Sequence, residues 1–303
     1  MAAPTNPTAA TLVAEAYAKC GIETATTAQA DRATTYFLNE IKNDIWLRAG
    51  KSGNTRLKTL QTKAVQIAIA GQSKYAVPSD MEEEITVTIL DGSITGTAQD
   101  SAAGTLVLAS TEGAASASII GNYVLLTGGT GVGDLRQATT YDTDTVTVTC
   151  DTLTSWSDTP DTSTTYLVVN EATDLYEDNT LSAGGLANRS FGTGKPSSFM
   201  KVNEGYNEYF YLNCPCDTAY GILTRYYANI NTIDTADSDT STLICKIYQN
   251  WRVPLVTGIA WKIAEDEDDD KWKVFKSEYE DAVDNLLAKE YPFGGEFEGF
   301  EVG

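Results

Sequence analysis

Gly192-Thr193-Gly194-Lys195 is the stretch closest in form to a phosphate loop. The full pattern needs a glycine at position 189, so that backbone amides can wrap phosphate, and a hydroxyl residue at 196 to meet magnesium. This chain has Arg189 and Pro196 there, so a turn is expected. Gly128 to Gly133, GGTGVG, leads from one apolar run directly into another, with no helix N-terminus to receive a pyrophosphate. It reads as a hairpin loop. The acidic run Glu265 to Asp270 suggests calcium, but an EF-hand loop counted from Asp266 requires glycine where Lys271 stands. It reads as a solvated turn that places negative charge at the start of the following helix. Cys214-Pro215-Cys216 is a C-x-C with no second close pair to complete a zinc tetrahedron. The chain has no histidine, which removes imidazole bases, histidine ligands and the usual serine or cysteine triads. Acidic residues are abundant, yet nothing singles out a pair for glycoside hydrolysis. The expectation is a protein without enzymatic activity, cofactor or metal.

Surfaces for partners are the remaining candidates. From Thr242 to Tyr291, apolar residues at helical spacing form one stripe through Ile247, Trp251, Leu255, Ile259 and Ile263. A second runs through Trp272, Phe275, Tyr279, Val283, Leu286 and Leu287. Two amphipathic helices joined by the acidic turn make a hairpin, because each covers the other's apolar face. The first also carries Val253, Val256, Ala260 and Trp261 off its main stripe, so it needs cover from a third element, and Pro254 departs from a smooth helical pattern. That third element is the helical pattern between Thr11 and Ala49. It comprises a short helix stopped at Gly21 and a longer one from Thr27 to Ala49, with Tyr36, Phe37, Ile41, Ile45 and Trp46 near helical spacing. Beyond the hairpin, residues 292–303 hold four Gly and three Phe and form an arm suited to docking. Candidate partner-binding residues are Tyr291, Phe293, Phe297 and Phe300, with Trp251, Trp261 and Trp272.

Between the helical ends the pattern is β. Val65 to Ile69, Tyr75 to Val77, Ile85 to Ile89, Phe199 to Val202, Glu208 to Leu212 and Ala219 to Ala228 read as strands of a small antiparallel sheet. Residues 94–170 shift to Thr, Ser, Gly, Ala and Asp with a single basic residue, Arg136. They carry five strand-like runs: Thr105 to Ala109, Tyr123 to Thr127, Leu135 to Tyr141, Val146 to Cys150 and Tyr166 to Val169. These are expected to close as an inserted small β-barrel. Beyond Glu171 an irregular stretch is expected. The predicted class is α+β: a helical bundle from both termini, a small antiparallel sheet and an inserted barrel. Residues 1–93 and 171–303 form the core, and 94–170 the insertion.

Forty-two acidic against 21 basic residues leave a net charge of −21, which opposes any grip on a phosphate backbone. The N-terminus lacks a basic, apolar leader, and no run reaches the roughly 20 apolar residues of a membrane span. The cysteines are odd in number and scattered, which favours reduced thiols and synthesis in a cytoplasm.

Several weak motifs in order resemble the head-to-tail adaptor, or tubular connector, proteins of tailed bacteriophages. They are TLVAEAYAKCGI followed by QADRATTYFLNEIKNDIW, then GQSKYAVPSDMEEEITVTILDG, GKPSSFMKV with YFYLNCPCDTAYGILTRYYANI, and the final helix pair with EDEDDDKW and SEYEDAVDNLL. The 94–170 segment is separately similar to a β-module of phage structural proteins, through GTGVGDLRQATTYD and TPDTSTTYLVV. The resemblance implies a dodecameric ring under the portal protein, joined to nozzle or tube proteins of the tail and located in the virion neck. DNA would pass through its channel without sequence-specific binding. A tail-tube or tail-tip protein whose β-domain binds another tail component or a host surface is the alternative.

Overall fold

The computed structural model describes residues 8–51, 61–109, 119–151, 156–178, 192–205, 207–228 and 248–290. The chain divides into two compact units, Met1–Gln61 with Tyr227–Gly303, and Thr62–Tyr226.

The first unit is helical. Helix α1 (Ala9–Lys19) is capped by Thr8, whose hydroxyl accepts from the Thr11 amide at 3.2 Å. It stops at Gly21, whose φ of 83° lets the Ile22 amide reach back to the Tyr17 carbonyl at 3.0 Å. Helix α2 (Thr27–Arg32) opens with a reciprocal capping box between Thr26 and Gln29, passes into a π-helical segment (Ala33–Leu38) and continues as α3 (Asn39–Lys51). The sequence explains the π segment. Ala33, Phe37, Ile41, Ile45 and Ala49 recur every fourth residue, and all are buried. A spacing of four outruns the 3.6-residue turn and would carry this stripe round the helix. Wider π turns take up the drift and hold the stripe on one side. Tyr36, expected near the apolar face, is instead 66% exposed.

Helices α4 (Tyr248–Asp266) and α5 (Trp272–Glu290) form the hairpin. Trp251, Leu255, Ile259 and Ile263 of α4 and Phe275, Tyr279, Val283 and Leu286 of α5 share one core with Leu12, Val13, Ala16 and Tyr17 of α1 and the buried stripe of α2–α3. Gly258 permits the closest approach, since a Cβ there would lie 2.7 Å from Ile41 Cγ2. Pro254 sits inside α4 and withholds one ladder amide, and the Thr257 hydroxyl donates to the neighbouring Val253 carbonyl at 2.8 Å. The helix ends in a Schellman arrangement: Asp269 N–H bonds the Ala264 carbonyl at 2.9 Å and Asp268 takes φ 56°.

The second unit contains two seven-stranded sheets. The strands are β1 (Gln61–Ile67), β2 (Lys74–Ala76), β3 (Met81–Asp91), β4 (Ile94–Thr97), β5 (Asp100–Ala102), β6 (Thr105–Val107) and β7 (Tyr123–Gly128) in the first half. Then follow β8 (Leu135–Asp142), β9 (Thr147–Cys150), β10 (Thr165–Val169), β11 (Glu171–Glu177), β12 (Ser198–Glu204), β13 (Asn207–Leu212) and β14 (Gly221–Ala228). One sheet is ordered β1-β14-β3-β11-β12-β13-β2 and is mixed, because β11 and β12 run parallel with Tyr176 opposite Ser198. The other is ordered β4-β10-β7-β8-β9-β6-β5. Its outermost members, β4 and β5, are consecutive in the chain. Ala98 N–H bonds Thr164 O at 2.8 Å on one side, and Gln99 N–H bonds Val107 O at 2.9 Å on the other, so the sheet curls until its edges meet at that step. Leu106, Val124, Ala138, Val148 and Tyr166 fill the space it encloses.

Strands β7 and β10 are apolar on both faces for a reason. Val124, Leu126, Tyr166 and Val168 point into the curled core, while Leu125, Leu167 and Val169 meet Leu90 and Leu223 of the mixed sheet. Gly221 makes this contact possible, as a Cβ there would fall 2.5 Å from Leu125 Cδ2.

The expected class, a helical bundle with a small antiparallel sheet and an inserted small barrel, is therefore corrected. The protein is β-rich, with two seven-stranded sheets and only four helices among the described residues, counting α2–π–α3 as one. The sheet was underestimated because β11, EATDLYE, buries a single apolar residue, Leu175, and carries no periodic signal.

Candidate functional site

The sequence singled out aromatic residues at the end of the chain as partner-binding. Tyr291, Phe293, Phe297 and Phe300 lie outside the described residues. The three tryptophans fall in different settings. Trp251 is 1% exposed inside the helical core, and its indole N–H has no acceptor among the described residues. The neighbouring Arg252 donates through Nε to Glu15 Oε2 at 3.0 Å, which locks α4 to α1 beside it. Trp261 and Trp272 are only partly buried and reach the surface of the α4–α5 hairpin.

Trp261 lies at the centre of an aromatic and cationic group. Its ring centroid is 5.6 Å from that of Tyr279, with Lys262 Nζ at 4.5 Å and Lys276 Nζ at 5.3 Å. Lys262 is held by Glu40 at 2.5 Å and by Glu265 at 3.6 Å. The Tyr279 hydroxyl donates to Asp44 Oδ2 at 2.7 Å, and Arg48 Nε meets the same oxygen at 2.8 Å. Burial, and then the hydrogen bond to Asp44, hold the Tyr279 phenol well above the usual tyrosine range. At the start of α5, Lys273 Nζ stands 5.5 Å from the Trp272 ring.

The other sequence candidates have structural partners. Lys195 of the glycine-rich turn reaches Glu171 at 2.8 Å and Asp91 at 3.1 Å, two carboxylates where a phosphate loop needs an open ammonium. The GGTGVG stretch turns β7 into β8 with Gly129, Gly131 and Gly133 at positive φ. Cys216 is fully buried and receives the Tyr75 hydroxyl at 3.9 Å, and Cys214 donates to Gly194 O at 3.5 Å. Burial raises both thiols and pushes Cys150 up to about 12 and Cys20 to about 11, which suits packing rather than nucleophilic attack. Arg136 is buried inside the curled sheet, 3.8 Å from Asp151 and 5.3 Å from the Trp156 ring.

The acidic turn is anchored at one end. Asp266 receives Arg32 at 2.6 Å, Glu267 receives Gln29 Nε2 at 3.2 Å, and Asp269 Oδ1 accepts the Lys271 amide at 3.0 Å. No helix among the described residues is long and apolar enough to cross a membrane.

No family model and no curated protein matches this chain. Sequence reasoning missed the lysines beside Trp261 and Trp272. Lys273 follows Trp272 and Lys262 follows Trp261 in the sequence, but Lys276 meets Trp261 only across the hairpin.

Proposed function

We propose that this chain is a structural protein of the neck of a tailed bacteriophage. It would form an adaptor ring beneath the portal protein, join capsid to tail and surround the DNA channel. The observation that carries this reading is the union of the two chain ends: α1 and α2–α3 from the first 51 residues close over α4 and α5 from the last part of the chain. That union brings together the first and last of the ordered segments on which the resemblance rests. The net charge of −21 suits a conduit in which DNA slides without adhering.

In this reading contacts between copies lie away from the stripe of α4. The apolar stripe of α4 is covered within one copy, so it leaves no surplus for neighbours. Contacts between copies then fall to exposed residues such as Tyr36, Leu47, Val253 and Val274, each 51–66% exposed, and to the C-terminal segment. Mixing the purified chain with portal protein and imaging the product tests the reading. A closed ring coaxial with the portal is expected, and a chain that stays monomeric and ignores the portal overturns it.

A tail-tube or tail-tip role for the β-rich unit is the second reading. It is favoured by Ile120 and Tyr123, 46% and 43% exposed at the start of β7 and just before it. Removing residues 94–170 would uncover Leu90 and Leu223. Ile120→Asp with Tyr123→Asp is the cleaner probe: an adaptor retains portal binding, whereas a tail-tip protein loses its tail or host partner.

A further inference from the structure

We propose that the indole and lysine patch formed by Trp261, Trp272, Lys273 and Lys276 is the docking site for residues 292–303 of a second copy of this chain. The inference rests on the adaptor reading only in requiring that copies stand side by side.

The charge pattern carries the argument. The chain has twice as many acidic as basic residues, and six cations on this helical surface have found carboxylates: Lys19 with Glu278, Arg32 with Asp266, Arg48 with Asp44, Arg252 with Glu15, Lys262 with Glu40 and Lys271 with Asp269. Among the described residues, Lys273 and Lys276 have no carboxylate partner. Each lies over an indole instead, Lys273 at 5.5 Å from Trp272 and Lys276 at 5.3 Å from Trp261. Two ammonium groups one helical turn apart, on two part-exposed indoles, make a surface for a segment that alternates carboxylates with aromatic rings. Residues 292–303, PFGGEFEGFEVG, have that composition: Phe293, Phe297 and Phe300 interleaved with Glu296, Glu298 and Glu301, and no lysine or arginine.

Reach favours a second copy over the same one. From Glu290 back to Lys276 is about 21 Å along α5, and to Lys273 about 26 Å. Docking on the same copy would need residues 291–301 to turn back at once and run along their own helix, using most of the roughly 36 Å that eleven residues can span. A neighbour's patch carries no such constraint.

Sedimentation velocity of the full chain over a range of concentration and salt tests this. The expected result is salt-sensitive self-association that weakens about tenfold in Lys273→Glu/Lys276→Glu and equally in Glu296→Lys/Glu298→Lys, with recovery when all four are combined. Thermal midpoints should fall only slightly, because the two lysines lose exposed contacts with the indoles but no ion pair, and glutamate suits the first turns of α5. Association unchanged by either reversal overturns the proposal. So does a monomer at every concentration, whether its tryptophan emission responds to Glu296→Lys/Glu298→Lys, as own-copy docking would produce, or not. If the reversed variants still form a ring on the portal with unweakened self-association, the docking site fails while the adaptor reading stands.

Discussion

The hydroxyl of Tyr279 on α5 donates to Asp44 Oδ2 on α3 at 2.7 Å. It joins residues 235 positions apart in the chain. The phenol is buried and the carboxylate lies at its edge, where Arg48 shares the same oxygen. The bond therefore ties the N-terminal helices to the C-terminal hairpin at a point where little water can replace it.

Tyr279→Phe should lower stability by about 1–2 kcal/mol, since it keeps the ring and removes a hydrogen bond to a charged acceptor. Urea titration gives the difference directly. An unchanged midpoint would mean that the hydroxyl contributes nothing net.

Alkaline pH should loosen the fold. Tyr279, Tyr220 and Tyr226 are all held above the ordinary phenol value, each by burial first and then by an adjoining carboxylate. A raised folded-state pKa means that the unfolded chain releases its proton first, so stability is full below about pH 10 and falls as pH rises beyond it. The Tyr279→Phe variant should lose less stability between neutral pH and pH 11 than the parent does. A loss of equal size would show that this phenol is not responsible.

Asp268 occupies the left-handed C′ position that ends α4, at φ 56°. Glycine takes that conformation without a Cβ penalty, so Asp268→Gly should stabilise the chain by about 1 kcal/mol. Thermal denaturation is the measurement, and a lower midpoint would indicate that the aspartate side chain has a stabilising partner of its own.

Gly258→Ala sets two effects against each other. Alanine gains about 1 kcal/mol of helix propensity, but its Cβ would sit 2.7 Å from Ile41 Cγ2 and 2.9 Å from Cδ1. Overpacking costs about 1–3 kcal/mol and should win, giving a net loss. Ile41→Ala itself costs about 2–5 kcal/mol, but Gly258→Ala should cost less on that background than in the parent, and the double-mutant cycle reads the coupling.

Asp161 is held down to about 2 by the hydroxyls of Ser163 and Thr130 and by the Ser163 amide. A depressed carboxyl pKa supports the fold above the unfolded value near 3.9 and ceases to do so as pH falls through about 2. Carbon-detected NMR titration should find this carboxyl among the lowest in the chain, and Ser163→Ala should raise it.

Several elements were legible because their cause is local. The stop at Gly21 and the two stripes of the hairpin follow from side chains a few residues apart. So do the runs YVLL and YLVV, which became β7 and β10 nearly as bounded. In contrast, β4, β5 and β11 have almost no apolar signal and exist because β10, β6 and β3 offer them hydrogen-bonding edges. The π segment was hidden for a related reason. A four-residue recurrence looks helical by eye, and its excess over 3.6 accumulates only over several turns.

From the residues alone come the identity of most elements, the absence of histidine chemistry, the strong negative charge and the grouping of aromatic with acidic residues at the C-terminus. Tertiary structure decided what those elements meet. It ran β11 parallel to β12, closed the curled sheet at Ala98 and Gln99, hid Trp251 and the α4 stripe inside one copy, and left Lys273 and Lys276 over indoles without carboxylates. The physical reason is one of range. Periodicity and capping act within a turn or two of chain, whereas strand order, burial on a second face and the pairing of charges depend on contacts between residues far apart in sequence.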